Sequence, residues 1–432
     1  MTTKGDIFGK HQKGSFFMFN CRINNNPIEE KQKMTTEQLL EYSNKYIMET
    51  YRRLPVLWRE GAGVYLFDNN GKKYLDLLGG LAVCALGHSH PKLAAAIGAQ
   101  AKRLMHTSNL YHTEAQVLYA KSLVESSFAD KVFFCNSGAE ANEAAIKLAR
   151  KYGNTVLGGK NEIITMYQSF HGRTLATITA TGQEKFQKGF EPLPSGFTYA
   201  RFDDIASVKA CLSNKTCAIM IEPIQAEGGV IVPSPNYLQA LRELCDKCGI
   251  LLIFDEVQTG MGRTGTLFAY EGYGIKPDIL TLAKGLGGGF PVGAMLASQK
   301  ASVFGIGEHA STFGGNPLAM TAAAVTLETI KEENLLQNCR EVGTFLSKEL
   351  AKLKGKFPLI QEVRGKGLLL GIELKIEAAT LVQKCFERRV IIGTAGTKVL
   401  RLAPPLIISL EEAKAGLAAL TDALQETEES IL

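Results

Sequence analysis

Lys284, in the run PDILTLAKGLGGGFPVGA, and Asp255, in LLIFDEVQTGMGRTG, are the residues whose chemistry stands out. Each accompanies a short apolar run that reads as a buried strand, Ile250–Phe254 before the acid and Asp278–Leu282 before the lysine. Side chains at the carboxyl ends of parallel strands face the crevice where α/β proteins bind ligands. A lysine with neighbouring glycines can approach a bound group closely and condense with an aldehyde on it. A carboxylate can keep a heteroaromatic ring nitrogen protonated. The pair therefore suits a cofactor that carries both functions.

Three further constellations could serve the same crevice. In Asn136-Ser137-Gly138-Ala139-Glu140-Ala141-Asn142 a strand, KVFFCN, turns into a helix, EANEAAIKLARK. Backbone N–H groups at a helix start, with a serine hydroxyl, bind phosphate; a plain capping box from Ser137 to Glu140 explains the same residues equally well. Phe170-His171-Gly172-Arg173 follows EIITMY: the aromatic can stack on a flat ring and Arg173 can fork onto a carboxylate. Taken alone, Arg173 also reads as a solvated loop residue. Glu222-Pro-Ile-Gln-Ala-Glu227-Gly-Gly follows CAIMI and puts two acids at a strand end, or in an ordinary solvated turn. Gly260-Met-Gly262-Arg-Thr-Gly265 satisfies the dinucleotide G-x-G-x-x-G spacing, but the Gly-rich, aromatic run ending at Pro277 is not the long helix such a site needs. His88-Ser-His90-Pro91 reads as a turn before a helix rather than a metal pair, and no metal site is expected.

The elements that must position these residues follow from composition and pattern. The chain has 432 residues, 45% hydrophobic and 21% charged, with a net charge of +5 and a pI near 8.6. That is room for more than one core. The charges are interspersed, which argues against a nucleic-acid surface, and no run reaches the ~18 apolar residues of a membrane span. The nine cysteines form no regular framework, so reduced thiols and a cytoplasmic location are expected. The Cys245/Cys248 pair, at the end of a helical pattern without a second pair, reads as structural. Residues 1–33 show no period and read as a flexible extension, a transit peptide being disfavoured by Asp6, Glu29 and Glu30; Met34 is an alternative start. A helix is expected from about Thr35, capped by Thr35 and Gln38. VYLFDNNGKKYLDLL reads as a hairpin turning at Asn69–Gly71. Residues 34–90 thus form an N-terminal segment and part of a small domain. Residues 91–325 alternate helix with buried strand, the signature of a large domain with a mostly parallel sheet. Residues 326–432, with GLLLGIEL and VLRLAPP, complete a smaller α/β domain built from both chain ends.

In this order the pieces resemble the fold-type I, class III aminotransferases, over residues 35–425. DEVQTGMGRTG followed by LTLAKGLGGGFPVGA is highly specific, and SGAEANE, FHGRT, EPIQAEGG, STFGGNP and LRLAPP match in place. Within the class the chain is most similar to the acetylornithine aminotransferases. The resemblance implies pyridoxal 5′-phosphate held covalently by Lys284, with Asp255 on the ring nitrogen, Gln258 near the phenolic oxygen and Phe170 stacked on the ring. It places Ser137, Gly138 and Ala139 on the phosphate, joined by Thr312 of the neighbouring subunit of a homodimer. Arg173, with Tyr51 as a further contact, takes a substrate carboxylate, and Glu227 and Arg401 form a switchable pair. One mismatch is Ala226, where the family usually has glycine.

The implied reaction is ping-pong transfer of the δ-amino group of N2-acetylornithine to 2-oxoglutarate, in arginine biosynthesis, with Lys284 moving the proton. Ornithine, succinylornithine, an acylated lysine and 4-aminobutyrate are alternative donors. A leucine at position 81, where the related ornithine aminotransferases carry tyrosine, favours a neutral acylamide over a charged α-ammonium; ordinary packing explains it too. An aminomutase would use the same lysine without a keto acid. A binding protein with a vestigial site is disfavoured, because every catalytic-type residue is present.

Overall fold

The computed structural model describes residues 34–431. The expectation of a flexible extension over residues 1–33 lies outside them. Contacts divide the chain at Leu57/Trp58, and each part is described by itself.

In the first part a helix runs over Thr36–Tyr46. Thr35 Oγ1 accepts the Gln38 N–H at 3.2 Å and Gln38 Oε1 accepts the Thr35 N–H at 3.0 Å, so two of the orphan donors at the helix start are satisfied reciprocally. None of its residues is buried. Tyr51 follows, with the Arg53 guanidinium 5.4 Å from its ring centre.

The second part holds three sheets. A hairpin opens it: β1 (Trp58–Ala62), β2 (Tyr65–Asp68) and β3 (Lys73–Asp76) are antiparallel. The Asp68 carboxylate accepts the N–H groups of Asn70 and Lys72, each at 2.9 Å, and so fixes the turn. The central sheet contains β4 (Lys131–Cys135), β5 (Glu162–Met166), β6 (Phe197–Ala200), β7 (Thr216–Ile221), β8 (Leu251–Asp255), β9 (Ile279–Leu282) and β10 (Gly293–Ala297), in the order β4-β10-β9-β8-β7-β5-β6. Only β10 runs against its neighbours, β4 and β9. The other six strands therefore point one way and bring their carboxyl ends to one edge. β7, β8 and β9 are buried at every position. Their alternate residues feed two cores: Ile219, Leu252, Phe254 and Leu280 on one face, Ala218, Met220, Leu251 and Ile253 on the other. Each buried Leu, Ile or Phe contributes about 1.5–3 kcal/mol, which holds this edge rigid for whatever it carries.

The third sheet, antiparallel, contains β11 (Ile360–Lys366), β12 (Leu369–Leu374), β14 (Gly393–Ala395) and β15 (Val399–Leu402), in the order β11-β12-β15-β14. β13 (Val390–Ile391) instead pairs in parallel with β3, so a C-terminal strand completes the sheet begun by the N-terminal hairpin. No described helix is long and apolar enough to cross a membrane.

Candidate active site

The carboxyl edge of the central sheet opens into a cavity of about 390 Å³. Asp255, the last residue of β8, lines it and is 4% exposed. Its Oδ1 accepts the Val257 N–H at 3.0 Å. Its Oδ2 takes two donors, the Asn142 amide at 2.7 Å and His171 Nδ1 at 2.8 Å. Asn142 also donates to the His171 carbonyl at 2.7 Å and accepts the Thr281 hydroxyl at 2.7 Å. Both N–H groups of that buried amide donate and its oxygen accepts, so it cannot turn over without losing bonds. The carboxylate is thereby fixed at one orientation. His171 Nε2 is buried without a hydrogen-bond partner among the described residues.

Lys284 follows β9 and lines the same cavity. Its backbone has φ +44°, a left-handed conformation that a lysine adopts only under constraint. The amine makes no hydrogen bond among the described residues. Burial pushes it below the ordinary lysine range, and the charge of Glu227 offsets part of that push. An amine so placed is more readily deprotonated and nucleophilic.

At the start of the helix Gly138–Thr155, Ser137 Oγ accepts the Glu140 N–H at 3.2 Å. Glu140 returns its carboxylate to the Asn136 N–H and, at 3.2 Å, to the Asn136 amide. The capping and anion-binding readings are therefore compatible: the hydroxyl accepts in the cap and keeps its own proton to donate, and Ser137, Gly138 and Ala139 all face the cavity. A side chain at Gly138 would put Cβ 2.8 Å from Val257 Cγ1, so only glycine lets the loop after Asp255 lie against this helix start.

Phe170 and Arg173 reach the cavity from the loop after β5. Glu222, just past β7, accepts the Phe170 N–H at 2.8 Å and the Ala226 N–H at 3.2 Å, pinning two loops. Burial pushes the Glu222 carboxyl well above the usual carboxylate range, and nearby Asp255 adds to this. The two acids read together from the sequence thus separate into a loop anchor, Glu222, and a charged partner, Glu227. Arg401 on β15, 2% exposed, donates from Nη1 to Glu227 Oε1 and, at 3.0 Å, to Gln258 Oε1. Burial pushes the Glu227 carboxyl up, but Arg401 and then Lys284 more than reverse this, and it titrates below its usual range. Gln258 lines the cavity with its amide engaged by this pair.

Two expected residues lie elsewhere in this unit. Thr312 is exposed and lines a separate crevice with Asn109, Gln116 and Gly314. Leu81 is 46% exposed and does not line the cavity; Val83 does. Leu81 sits in a left-handed turn, Gly79–Ala82, whose first N–H donates to Asp76 Oδ1 at 2.9 Å. Tyr51 belongs to the first unit, not to the body that carries the cavity. The G-x-G-x-x-G run, Gly260–Gly265, is followed by the short 3-10 helix Ala269–Tyr273, and Arg263 of the run is buried against the carbonyls of Leu368, at 3.1 Å, and Pro404. Asn142, His171 and Thr281 carry the Asp255 network without having been singled out in the sequence. A signal existed for Asn142: it is the polar member of a buried helix face with Ala145, Ile146 and Ala149.

The family model described as Aminotransferase class-III matches residues 46–424. The acetylornithine aminotransferase of Methanocaldococcus jannaschii is 50% identical over 395 residues, 91% of this chain and 99% of that protein. Among solved structures, the ornithine aminotransferase of Toxoplasma gondii crystallised with oxidised glutathione is 34% identical with a TM-score of 0.89, covering 92% of this chain and 95% of that one; PLP partially occupies its active site. The acetylornithine aminotransferase of Elizabethkingia anophelis is 35% identical with a TM-score of 0.82, covering 91% and 100%. The cavity's own chemistry fits that cofactor. A buried carboxylate of fixed orientation, a lysine amine held below its ordinary range and a helix start that lines the cavity meet the demands of a ring nitrogen, an aldehyde and a phosphate. The chain belongs to the class III aminotransferases, enzymes that work with pyridoxal 5′-phosphate.

Proposed function

We propose that this chain transfers the δ-amino group of N2-acetylornithine to 2-oxoglutarate, a step of arginine biosynthesis, in the cytoplasm. The contact of Arg401 with Glu227 carries this reading. A donor that reacts through a terminal amine has no carboxylate beside its reacting carbon. With such a donor bound, Arg401 would be a buried, uncompensated cation, which is costly; Glu227 removes that cost. When glutamate or 2-oxoglutarate enters, its own α-carboxylate takes the place of Glu227 on the guanidinium. One pocket can then serve both halves of the reaction.

The remaining residues receive roles on the same reading. Bound in the cavity, pyridoxal 5′-phosphate supplies the aldehyde that takes up the amine and a ring that accepts electrons. Lys284 would hold the cofactor, and its amine, when free, would take and return the proton at the substrate's reacting carbon. Asp255, oriented by Asn142, His171 and the Val257 N–H, keeps the ring nitrogen protonated. Ser137, Gly138 and Ala139 cradle the phosphate. Phe170 would pack against the ring, and Gln258 joins the cavity to the Glu227–Arg401 pair. Arg173 receives the distal α-carboxylate of the donor. Thr312 completes the phosphate site of a second copy, making a homodimer with shared sites; its exposure outside its own cavity supports this.

The similarity to acetylornithine aminotransferases, 50% for the relative named above, supports an acylated donor over free ornithine. The test is a panel of amine donors with 2-oxoglutarate. N2-acetylornithine is expected to give the highest kcat/KM, above ornithine, succinylornithine and 4-aminobutyrate. A higher value for free ornithine would overturn the donor assignment, and turnover without any keto acid would indicate a mutase.

A further inference from the structure

We infer that Phe186 is a positioning residue for Arg173 and, through it, a determinant of specificity for donors that carry a distal carboxylate. The inference rests on the proposed role of Arg173. That guanidinium stands exposed at the cavity with no hydrogen bond or ion pair among the described residues. What it has is two aromatic rings. Its central carbon lies 4.0 Å from the centre of the Phe186 ring and 5.4 Å from that of Phe170. The nearer ring is the one that does not line the cavity. The two rings meet edge to face, 5.9 Å apart at 83°. Phe186 is itself firmly seated. It lies in the short helix Glu184–Gln187; just before the helix Gln183 Nε2 donates to the Ser169 carbonyl at 2.9 Å, and at its end Gln187 Nε2 donates to the Thr181 carbonyl at 2.8 Å. The first of those tethers ends on the residue before Phe170.

The physical consequence concerns where the cation waits. A guanidinium pairs with an aromatic face through the ring quadrupole while its edge N–H groups remain free. A carboxylate partner would consume those N–H groups; a ring does not. Phe186 therefore holds Arg173 without occupying the donors that a substrate carboxylate needs. Because the ring is tethered to the Phe170 loop, the distance from cofactor stack to carboxylate is set by the protein before the substrate arrives. Such pre-ordering lowers the cost of binding.

The test compares Phe186→Leu, Phe186→Tyr and Arg173→Ala in the cofactor-loaded enzyme. Both Phe186 changes keep apolar bulk against Phe170, and only the leucine removes the π face. Two readouts are used: steady-state kinetics with N2-acetylornithine and with the same acylated diamine lacking the carboxylate, and calorimetric binding of N-acetylnorvaline, which has the carboxylate but no terminal amine. Phe186→Leu is expected to raise KM for N2-acetylornithine and Kd for N-acetylnorvaline about fivefold, a single cation–π contact. Its kcat, and its kinetics with the carboxylate-free amine, should stay near the parent's, and Phe186→Tyr should restore both constants. Equal losses with both amines, or unchanged N-acetylnorvaline binding in Phe186→Leu while Arg173→Ala binds it weakly, would overturn the inference and leave the role of Arg173 standing. Unchanged binding in Arg173→Ala would remove that role and the inference together.

Discussion

Arg401→Ala separates the two halves of the reaction. In the parent protein the guanidinium is 2% exposed and donates to both Glu227 and Gln258. For 2-oxoglutarate it is the proposed seat of the α-carboxylate, and a hydrogen bond to a charged group contributes about 1.5–3 kcal/mol. Losing one or two such bonds predicts a fall of roughly 100-fold in that half-reaction, taking 1.4 kcal/mol per factor of ten. The donor half-reaction loses something different. The Arg401 charge works with burial to hold the Lys284 amine down and is the chief influence holding the Glu227 carboxyl down. Without it both groups rise, and Lys284 gives up its proton less readily. The donor half-reaction should therefore fall by about tenfold or less and recover as the pH is raised. Single-turnover absorbance changes of the cofactor, started once with N2-acetylornithine and once with 2-oxoglutarate, measure the halves separately. Equal losses in the two, or a donor-half loss that does not ease with rising pH, would refute the reasoning.

Other outcomes follow from the same geometry. Asp255→Asn should retain cofactor but lose most turnover, on the order of 2–5 kcal/mol in the barrier; near-normal kcat would contradict its role. His88 Nε2 lies 2.8 Å from Asp76 Oδ2, and although burial works against its charge, the Asp76 carboxylate together with the Cys84 sulfur prevails and its pKa rises from 6.5 to about 9. Its contribution to stability is then complete below pH 6.5 and lost as the pH rises towards 9, at most about 3 kcal/mol. His88→Gln should flatten the dependence of denaturant midpoint on pH across that window, and an unchanged slope would contradict the pairing. The enzyme should sediment as an obligate dimer, with Thr312→Ala weakening cofactor retention; an active, cofactor-loaded monomer would contradict a site shared between copies.

The parts of the fold legible in the sequence are those where burial leaves a mark on residue type. LLIFD and ILTL announce β8 and β9 because strands covered on both faces are apolar at every position. β6, FTYA, and β10, GAMLA, carry no such mark: they are short, and β10 is rich in small residues. The reversed direction of β10 depends on pairing with β4, about 160 residues away in the chain, which no local pattern encodes. In the site, Lys284, Asp255 and the Ser137 turn stand at strand ends and could be found by position. The pairing of Glu227 with Arg401 joins a loop of the central sheet to β15, and only the folded chain brings them within reach. His171 was hidden inside a loop motif whose aromatic and arginine drew the reading. Phe186 was hidden because a phenylalanine in a polar, four-residue helix has no signature of its own.

The central claim is that the chain holds its cofactor through Lys284 at the end of β9, facing Asp255. Borohydride reduction of the loaded enzyme fixes the cofactor to the amine that holds it, and peptide mapping locates it. The account predicts the label on Lys284 alone, and none on that peptide in Lys284→Ala. A label on any other lysine in the parent enzyme would contradict it.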